Sequence, residues 1–184
     1  MGKVYDAIDE RLEAWLRAQR VFFVATAPLS ADGHVNCSPR GAEGLVVLGP
    51  REVAWLDLTG SGVETIAHLR ENGRIVLMFC AFAGPPRIVR LHGRGTVVEP
   101  GDPGFAELRA RFGEHAGVRA VIRVACTRIS DSCGYGVPLL AYRGERPQLA
   151  AWARRKGPEG LRTYQAERNA RSIDGLPGLR RPAP

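Results

Sequence analysis

The spacing of apolar positions changes several times along the chain, and each change marks an element. Ile8, Leu12, Trp15 and Leu16 recur every three to four residues among charges, which predicts a helix over residues 5–19. Residues 21–27 (VFFVATA) then read as a strand. Ala31-Asp32-Gly33 is a turn signal, and residues 34–38 alternate again, so a hairpin is expected. Residues 45–48 and 53–58 are two further strands around Gly49-Pro50-Arg51. Val63, Ile66 and Leu69 lie on one side of a helix over 61–71 that stops at Asn72-Gly73. Residues 75–82 are apolar on both faces and predict a central strand. Residues 87–99 form a long strand with Gly93 and Gly95 as bend points. A short helix over 103–112, a strand over 120–129, a glycine-rich loop over 132–138 and a helix over 148–169 interrupted near Gly157-Pro158 follow, and 177–184 read as a loose end.

Helices at every crossover would be needed for a parallel sheet, and most links here are too short. The expected fold is mainly β (α+β): about six antiparallel strands in a closed or half-closed barrel with flanking helices. Residues 1–20 are expected to pack on the barrel as a helix, 21–142 to form the barrel, and 143–184 to form a helical extension.

The 184 residues suit one domain with a small appendage. No apolar run reaches the ~18–20 residues of a membrane span, and the charged, amphipathic N-terminus does not read as a secretory signal. Cys37, Cys80, Cys126 and Cys133 form neither a CxxC pair nor a Cys/His metal spacing. The expectation is a cytoplasmic protein with reduced thiols and no metal site. The net charge is +7, and residues 143–184, with ten basic and four acidic side chains, carry +6 of it. A basic tail suits nucleic acid, phosphate-bearing small molecules or an acidic partner. Aromatic content is only 7%, without the aromatic–basic interleaving that stacks bases, which argues against nucleic acid.

Residues 57–65 (DLTGSGVET) run from a strand into a helix and are the most informative stretch. Small residues let the backbone approach a ligand, the first N–H groups of the helix point outward, and Thr59, Ser61 and Thr65 add hydroxyls, which together suit a phosphate. The same stretch also satisfies a capping box, with Ser61 as N-cap and Glu64 three positions on. His34, Asn36, Ser38 and Arg40 share one face of the second strand, and Arg40 suits an anion clamp; a solvated face is the other reading. Arg90, His92 and Arg94 likewise share a face, toward either a ligand or solvent. His68 lies one turn on from Glu64 and Thr65, and Tyr135 stands between two glycines; these are the acid–base candidates, and no catalytic residue is assigned. There is no Ser/His/Asp order, paired acidic dyad or HExxH motif. Anion-binding features with few acid–base groups fit a protein whose cofactor supplies the reactivity.

The runs VFFVATAPLSADGHVNCSPRG, VAWLDLTGSGVETIAHLRENGRIVLMF and RIVRLHGRG, in this order, resemble the pyridoxamine 5′-phosphate oxidase-like flavoproteins of the FMN-binding split-barrel fold. The resemblance implies a six-stranded antiparallel split barrel in a homodimer, with FMN at the subunit interface and a small organic substrate. It implies flavin contacts from Asn36, Ser38, Pro39, Arg40 and Gly41, from Asp57, Thr59, Ser61, Gly62 and Thr65, from His68 and Asn72 on the following helix, and from Arg90 near the ring. The superfamily also holds deazaflavin-dependent reductases and non-enzymatic flavin or haem binders, which are the alternatives. Pyridoxamine-phosphate oxidases proper carry an Arg-Lys pair where this chain reads Ser61-Gly62, and their C-terminal Arg/His substrate motif is not evident. The expectation is therefore an FMN-dependent oxidoreductase acting on another substrate.

Overall fold

Strands with alternating burial pair in one antiparallel sheet. The computed structural model describes residues 2–41 and 44–180. In chain order its elements are β1 (Val4–Tyr5), α1 (Glu10–Ala18), β2 (Val21–Thr26), β3 (Asn36–Gly41), β4 (Leu45–Gly49), β5 (Glu52–Leu58), α2 (Glu64–Asn72), β6 (Arg74–Cys80), β7 (Ile88–Val98), α3 (Phe105–Arg109), β8 (Val118–Ser132) and α4 (Gln148–Arg168). The strand order is β3-β2-β6-β7-β8-β5-β4, with the short β1 paired to β8. The sheet curls into a split barrel whose two end strands, β3 and β4, do not pair with each other. Eight strands are present among the described residues where about six were expected.

The residues explain the differences. Helix α1 begins at Glu10, because the Asp9 carboxylate accepts from the Leu12 N–H at 2.7 Å and caps it there. The preceding Val4–Tyr5 is drawn into the sheet opposite Ser130 and Ile129. Strand β3 starts two residues later than expected and runs on through Pro39, which costs no ladder bond on an edge strand. The all-apolar β6 is central, between β2 and β7. In β7 the register shifts after His92, and a Cβ on Gly93 would stand 2.3 Å from the Ala125 carbonyl oxygen, so only glycine allows this approach of β8. Gly73 ends α2 in the left-handed conformation, at φ 70°. Gly157, at φ 65°, breaks α4 in front of Pro158.

The interior is centred on Phe22, which stacks on Phe79 (centroids 5.3 Å apart) and meets Trp55 edge-on at 6.0 Å. Leu12 and Leu16 of α1 and Ile66 and Leu69 of α2 join the same cluster. The expected loose end is ordered through residue 180: the Leu179 N–H donates to the Asn169 carbonyl at 2.8 Å, Leu179 packs on the core, and Arg180 pairs with Glu99 and Asp102. Residues 181–184 of that expectation lie outside the described residues. No described helix is long and apolar enough to cross a membrane.

Candidate functional site

A cleft of about 820 Å³ opens where the barrel is split, between the β3 edge and β5. One wall is β3, from Asn36 to Gly41. The other is Trp55, Leu56 and Leu58 of β5. The start of α2, from Thr59 to Gly62 with Glu64 and Thr65, closes one end, and residues 145–150 of the extension lie across the cleft. This volume is within the range of small-molecule and cofactor sites.

The β3 wall follows from strand periodicity. All six residues of β3 line the cleft, with Asn36, Ser38 and Arg40 half-buried and Cys37, Pro39 and Gly41 exposed, as strand alternation dictates. The Arg40 guanidinium reaches Asp57, Nη2 to Oδ1 at 3.3 Å. Asp57 is fully buried beneath the cleft and accepts a second, closer contact from Arg119 Nε at 2.7 Å. Arg119 reaches it because β8 bulges here: Leu58 pairs with Val118 and Asp57 with Ala120, so Arg119 is the extra residue. Bulges beside sites commonly re-aim a side chain in this way.

Two guanidinium cations around one carboxylate leave one positive charge in excess, and the hydrogen bonds are incomplete. Among the described residues, five buried side-chain polar atoms have no partner: Arg40 Nε, Arg119 Nη1, Trp55 Nε1, His68 Nε2 and Asn169 Oδ1. The first three belong to cleft-lining residues. Asn169 donates through Nδ2 to the Gly60 carbonyl at 2.9 Å, at the cleft's end. Buried polar groups are nearly always paired, so orphans gathered at one cleft mark a place for a polar ligand. With three N–H donors among them and two guanidinium groups around one carboxylate, the ligand they fit is anionic where it meets Arg40 and Arg119, while Glu64 and Glu145 also line the cleft.

The start of α2 is open to such a ligand. The capping box does not form: the N-cap position is Val63, no side chain caps the first turn, and Glu64 is the first helical residue. The Glu64 carboxylate instead accepts from the Ile173 N–H at 3.3 Å. Ser61 and Gly62 line the cleft with no side-chain cap bond. Thr59 lines it too, but its hydroxyl donates to the Gly117 carbonyl at 2.8 Å and accepts from Gln165 Nε2 at 2.7 Å, so its hydrogen is committed.

Of the residues expected from the sequence, Asn36, Ser38, Pro39, Arg40, Gly41, Thr59, Ser61, Gly62 and Thr65 come together on the cleft. Asp57 lies beneath it. His68 is fully buried behind it, and burial pushes its imidazole below the usual histidine range against the pull of Asp174, Glu64 and Glu71. Asn72 turns away and donates to the Ala27 carbonyl at 2.9 Å. Arg90 is outside the cleft, with Nη1 on Ser132 Oγ at 3.1 Å. Tyr135 is 83% exposed and does not line the cleft.

Trp55, Arg119, His115, Glu145, Arg146 and Leu149 were missed. Arg119 carries no periodic signal, because it is the extra residue of the β8 bulge. Nothing local marks residues 145–150 as a wall of the cleft, because they reach it from a hundred residues away.

Comparison with known proteins agrees with this architecture. A family model for pyridoxamine 5′-phosphate oxidase matches residues 8–133. The pyridoxamine 5′-phosphate oxidase family protein ustO of Aspergillus flavus is 42% identical over 192 residues, covering 95% of this chain and 77% of the relative. Among solved structures, HupZ from Group A Streptococcus superposes with a TM-score of 0.51 at 19% identity, covering 66% of this chain and 91% of that one. A FAD-binding protein from Mesorhizobium loti gives a TM-score of 0.50 at 16% identity, covering 71% and 96%. At these identities the structural matches speak to the fold alone.

Proposed function

The chain belongs to the pyridoxamine 5′-phosphate oxidase family, and from that premise we propose that it binds FMN in the split-barrel cleft as an oxidoreductase acting on a small organic molecule. The observation that carries this reading is the set of orphaned donors, Arg40 Nε, Arg119 Nη1 and Trp55 Nε1, gathered at one anion-favouring cleft. Membership of the family supports a flavin-type cofactor, and a protein of the same fold is named for binding FAD.

Bound FMN would supply a hydride acceptor and donor. Arg40 and Arg119 would hold its phosphate, with Asp57 keeping both guanidinium groups in place from below. Ser61, Gly62 and the uncapped first turn of α2 would add N–H donors. Ser38, Asn36 and Thr65 offer the neutral hydrogen-bonding groups of the cleft, and Trp55, Leu56 and Leu58 form its apolar wall. No described side chain on the cleft stands out as the acid or base of a proton transfer.

The protein would work as a cytoplasmic homodimer. The exposed apolar run through Tyr135, Leu139 and Leu140, with Leu149 at the cleft's edge, supports a partner there. All four cysteines are free thiols, as a reducing compartment would keep them.

The test is the absorbance spectrum of the purified protein before and after adding FMN, with size-exclusion chromatography. The two bands of oxidised flavin eluting with a dimer are the expected result. Failure to retain FMN, with tight retention of a deazaflavin or haem in a parallel titration, overturns the FMN assignment. Arg40→Ala should retain FMN less tightly, and unchanged affinity would remove Arg40 from the site.

A further inference from the structure

The loop between β5 and α2 is gripped from behind by the C-terminal extension. Gln165 Nε2 donates to Thr59 Oγ1 at 2.7 Å, Asn169 Nδ2 donates to the Gly60 carbonyl at 2.9 Å, and the Ile173 N–H donates to Glu64 Oε1 at 3.3 Å. Asn169 is firmly placed: its N–H donates to the Gln165 carbonyl and its carbonyl accepts from the Leu179 N–H, both at 2.8 Å. It is fully buried, yet its Oδ1 has no partner among the described residues. A buried amide with one end unpaired gains little stability from its single bond, so the bond to Gly60 needs another reason.

Peptide geometry supplies one. The Gly60–Ser61 peptide is trans, so its carbonyl and its N–H point to opposite sides. Asn169 does not line the cleft, whereas Gly60 and Ser61 do. Holding the Gly60 carbonyl on the extension side therefore turns the Ser61 N–H away from the extension, toward the cleft. The Ser61 and Gly62 N–H groups have no acceptor among the described residues. The same loop is pinned beside Arg119: the Thr59 N–H donates to the Gly117 carbonyl at 2.7 Å, and Leu58 pairs with Val118. Arg119 is 4% exposed, and its unpartnered Nη1 belongs to the cleft that these N–H groups face.

We propose that Asn169 is a positioning residue for the anionic group of the ligand: by holding the Gly60 carbonyl it aims the Ser61 N–H into the cleft near Arg119, so that a phosphate meets backbone and guanidinium donors together. The family match ends at residue 133, so a part of the chain outside the matched barrel completes the site. Glu64 is the charge that opposes an anion at this end, and the extension engages it too, through Ile173. This inference rests on the reading above for an anionic group in the cleft, but not for the flavin.

The test is the ¹H–¹⁵N spectrum of the full-length protein, titrated with inorganic phosphate and, separately, with FMN. A downfield shift of the Ser61 amide is expected in both titrations. No binding of phosphate, or binding that leaves the Ser61 amide in place, overturns the proposal. Asn169→Ala should bind phosphate and FMN about tenfold more weakly and lose the Ser61 shift, with its affinity for lumiflavin, which has no phosphate, unchanged. Unchanged phosphate affinity overturns the proposal, as does an equal loss for lumiflavin, which would mark a general structural effect. Glu64→Gln should bind phosphate more tightly, and a failure to tighten also counts against it decisively. If Asn169→Ala does not fold, two variants at the exposed Ser61 decide. Ser61→Pro removes the N–H and should lose phosphate, while Ser61→Ala keeps the N–H and should bind as the wild type does. An equal effect of the two overturns the proposal. If phosphate moves the Ser61 amide but FMN is not bound, the flavin reading fails and this one stands. If FMN is retained and the Ser61 amide stays in place, the reverse holds.

Discussion

Replacing Asp57 by Asn separates what holds the fold from what would hold the ligand. In the wild type, Asp57 is fully buried and bonded to Arg119, whose side chain is 3% exposed, at 2.7 Å. The second pair, with Arg40, is longer at 3.3 Å, and the Arg40 side chain is 30% exposed. Removing one partner of a buried pair costs about 3–5 kcal/mol, because the other charge stays buried without compensation. The amide of Asn still accepts one hydrogen bond, which puts the expected loss near the lower end, about 3 kcal/mol. For a chain of this size that is a fall in Tm of about 6–12 °C. The more exposed Arg40 pair contributes at most about 1 kcal/mol, so Arg40→Met should leave stability nearly unchanged while weakening FMN binding. The assay is urea unfolding of the wild type, Asp57→Asn, Arg119→Met and Arg40→Met without ligand, repeated with inorganic phosphate. Asp57→Asn and Arg119→Met should be strongly destabilised and Arg40→Met barely. Phosphate should stabilise Asp57→Asn more than the wild type, because the positive excess is larger. If Asp57→Asn unfolds within about 0.5 kcal/mol of the wild type, the carboxylate is not compensating buried charge and the reasoning fails.

Other variants probe the scaffold and its pH dependence. Phe22→Ala removes the ring shared by Phe79 and Trp55 at a fully buried position and should cost about 3–5 kcal/mol in urea unfolding. Gly178→Ala would place a Cβ 2.2 Å from the Asn169 carbonyl oxygen and 2.8 Å from Val63 Cγ1, so residues 169–180 should lift from the α2 start and become sensitive to limited proteolysis; wild-type resistance would contradict the close approach. Burial alone would raise the Asp131 carboxyl, but hydrogen bonds from the Tyr5 hydroxyl and the Lys3 N–H, with the Arg87 charge, hold it below the usual carboxylate range. Its folded pKa is then below its unfolded one, so its stabilisation is complete above about pH 4 and is lost as pH falls through the folded value. Asp131→Asn should flatten the acid limb of a Tm-against-pH curve, and an unchanged slope would show that another carboxylate governs it.

Much of the architecture could be read from local pattern. Period-two alternation located the strands from β2 to β8, the uniformly apolar run of β6 marked it as central, and Asn72-Gly73 marked the end of α2. The same alternation put Asn36, Ser38 and Arg40 on one face, and the structure turns that face toward the cleft. These features depend on neighbours within a few residues, where side-chain direction follows from backbone geometry. The two-residue β1 carries no period of its own and exists only because β8 is there to pair with it.

The tertiary structure alone decided how the site is assembled. Arg119 meets Asp57 because a bulge in β8 turns it inward, 62 residues from its partner. His68 shares the helix that opens the cleft, yet packing of α2 against β2 buries it and leaves Thr26 and Asn36 to connect it to the surface. Residues 145–150 wall the cleft because the extension is tied back to it, Gln165 to Thr59 and Asn169 to Gly60, across more than a hundred residues. Contacts at such separations leave no periodic trace in the sequence, since each strand or helix is patterned by whether it faces the core and not by which distant residue it meets there. The amino-acid pattern thus determined the strands, the family and one wall of the cleft. The charge triad, the buried hydrogen bonds of His68, Thr26 and Asn36 and the opposite wall exist only once the sheet has curled.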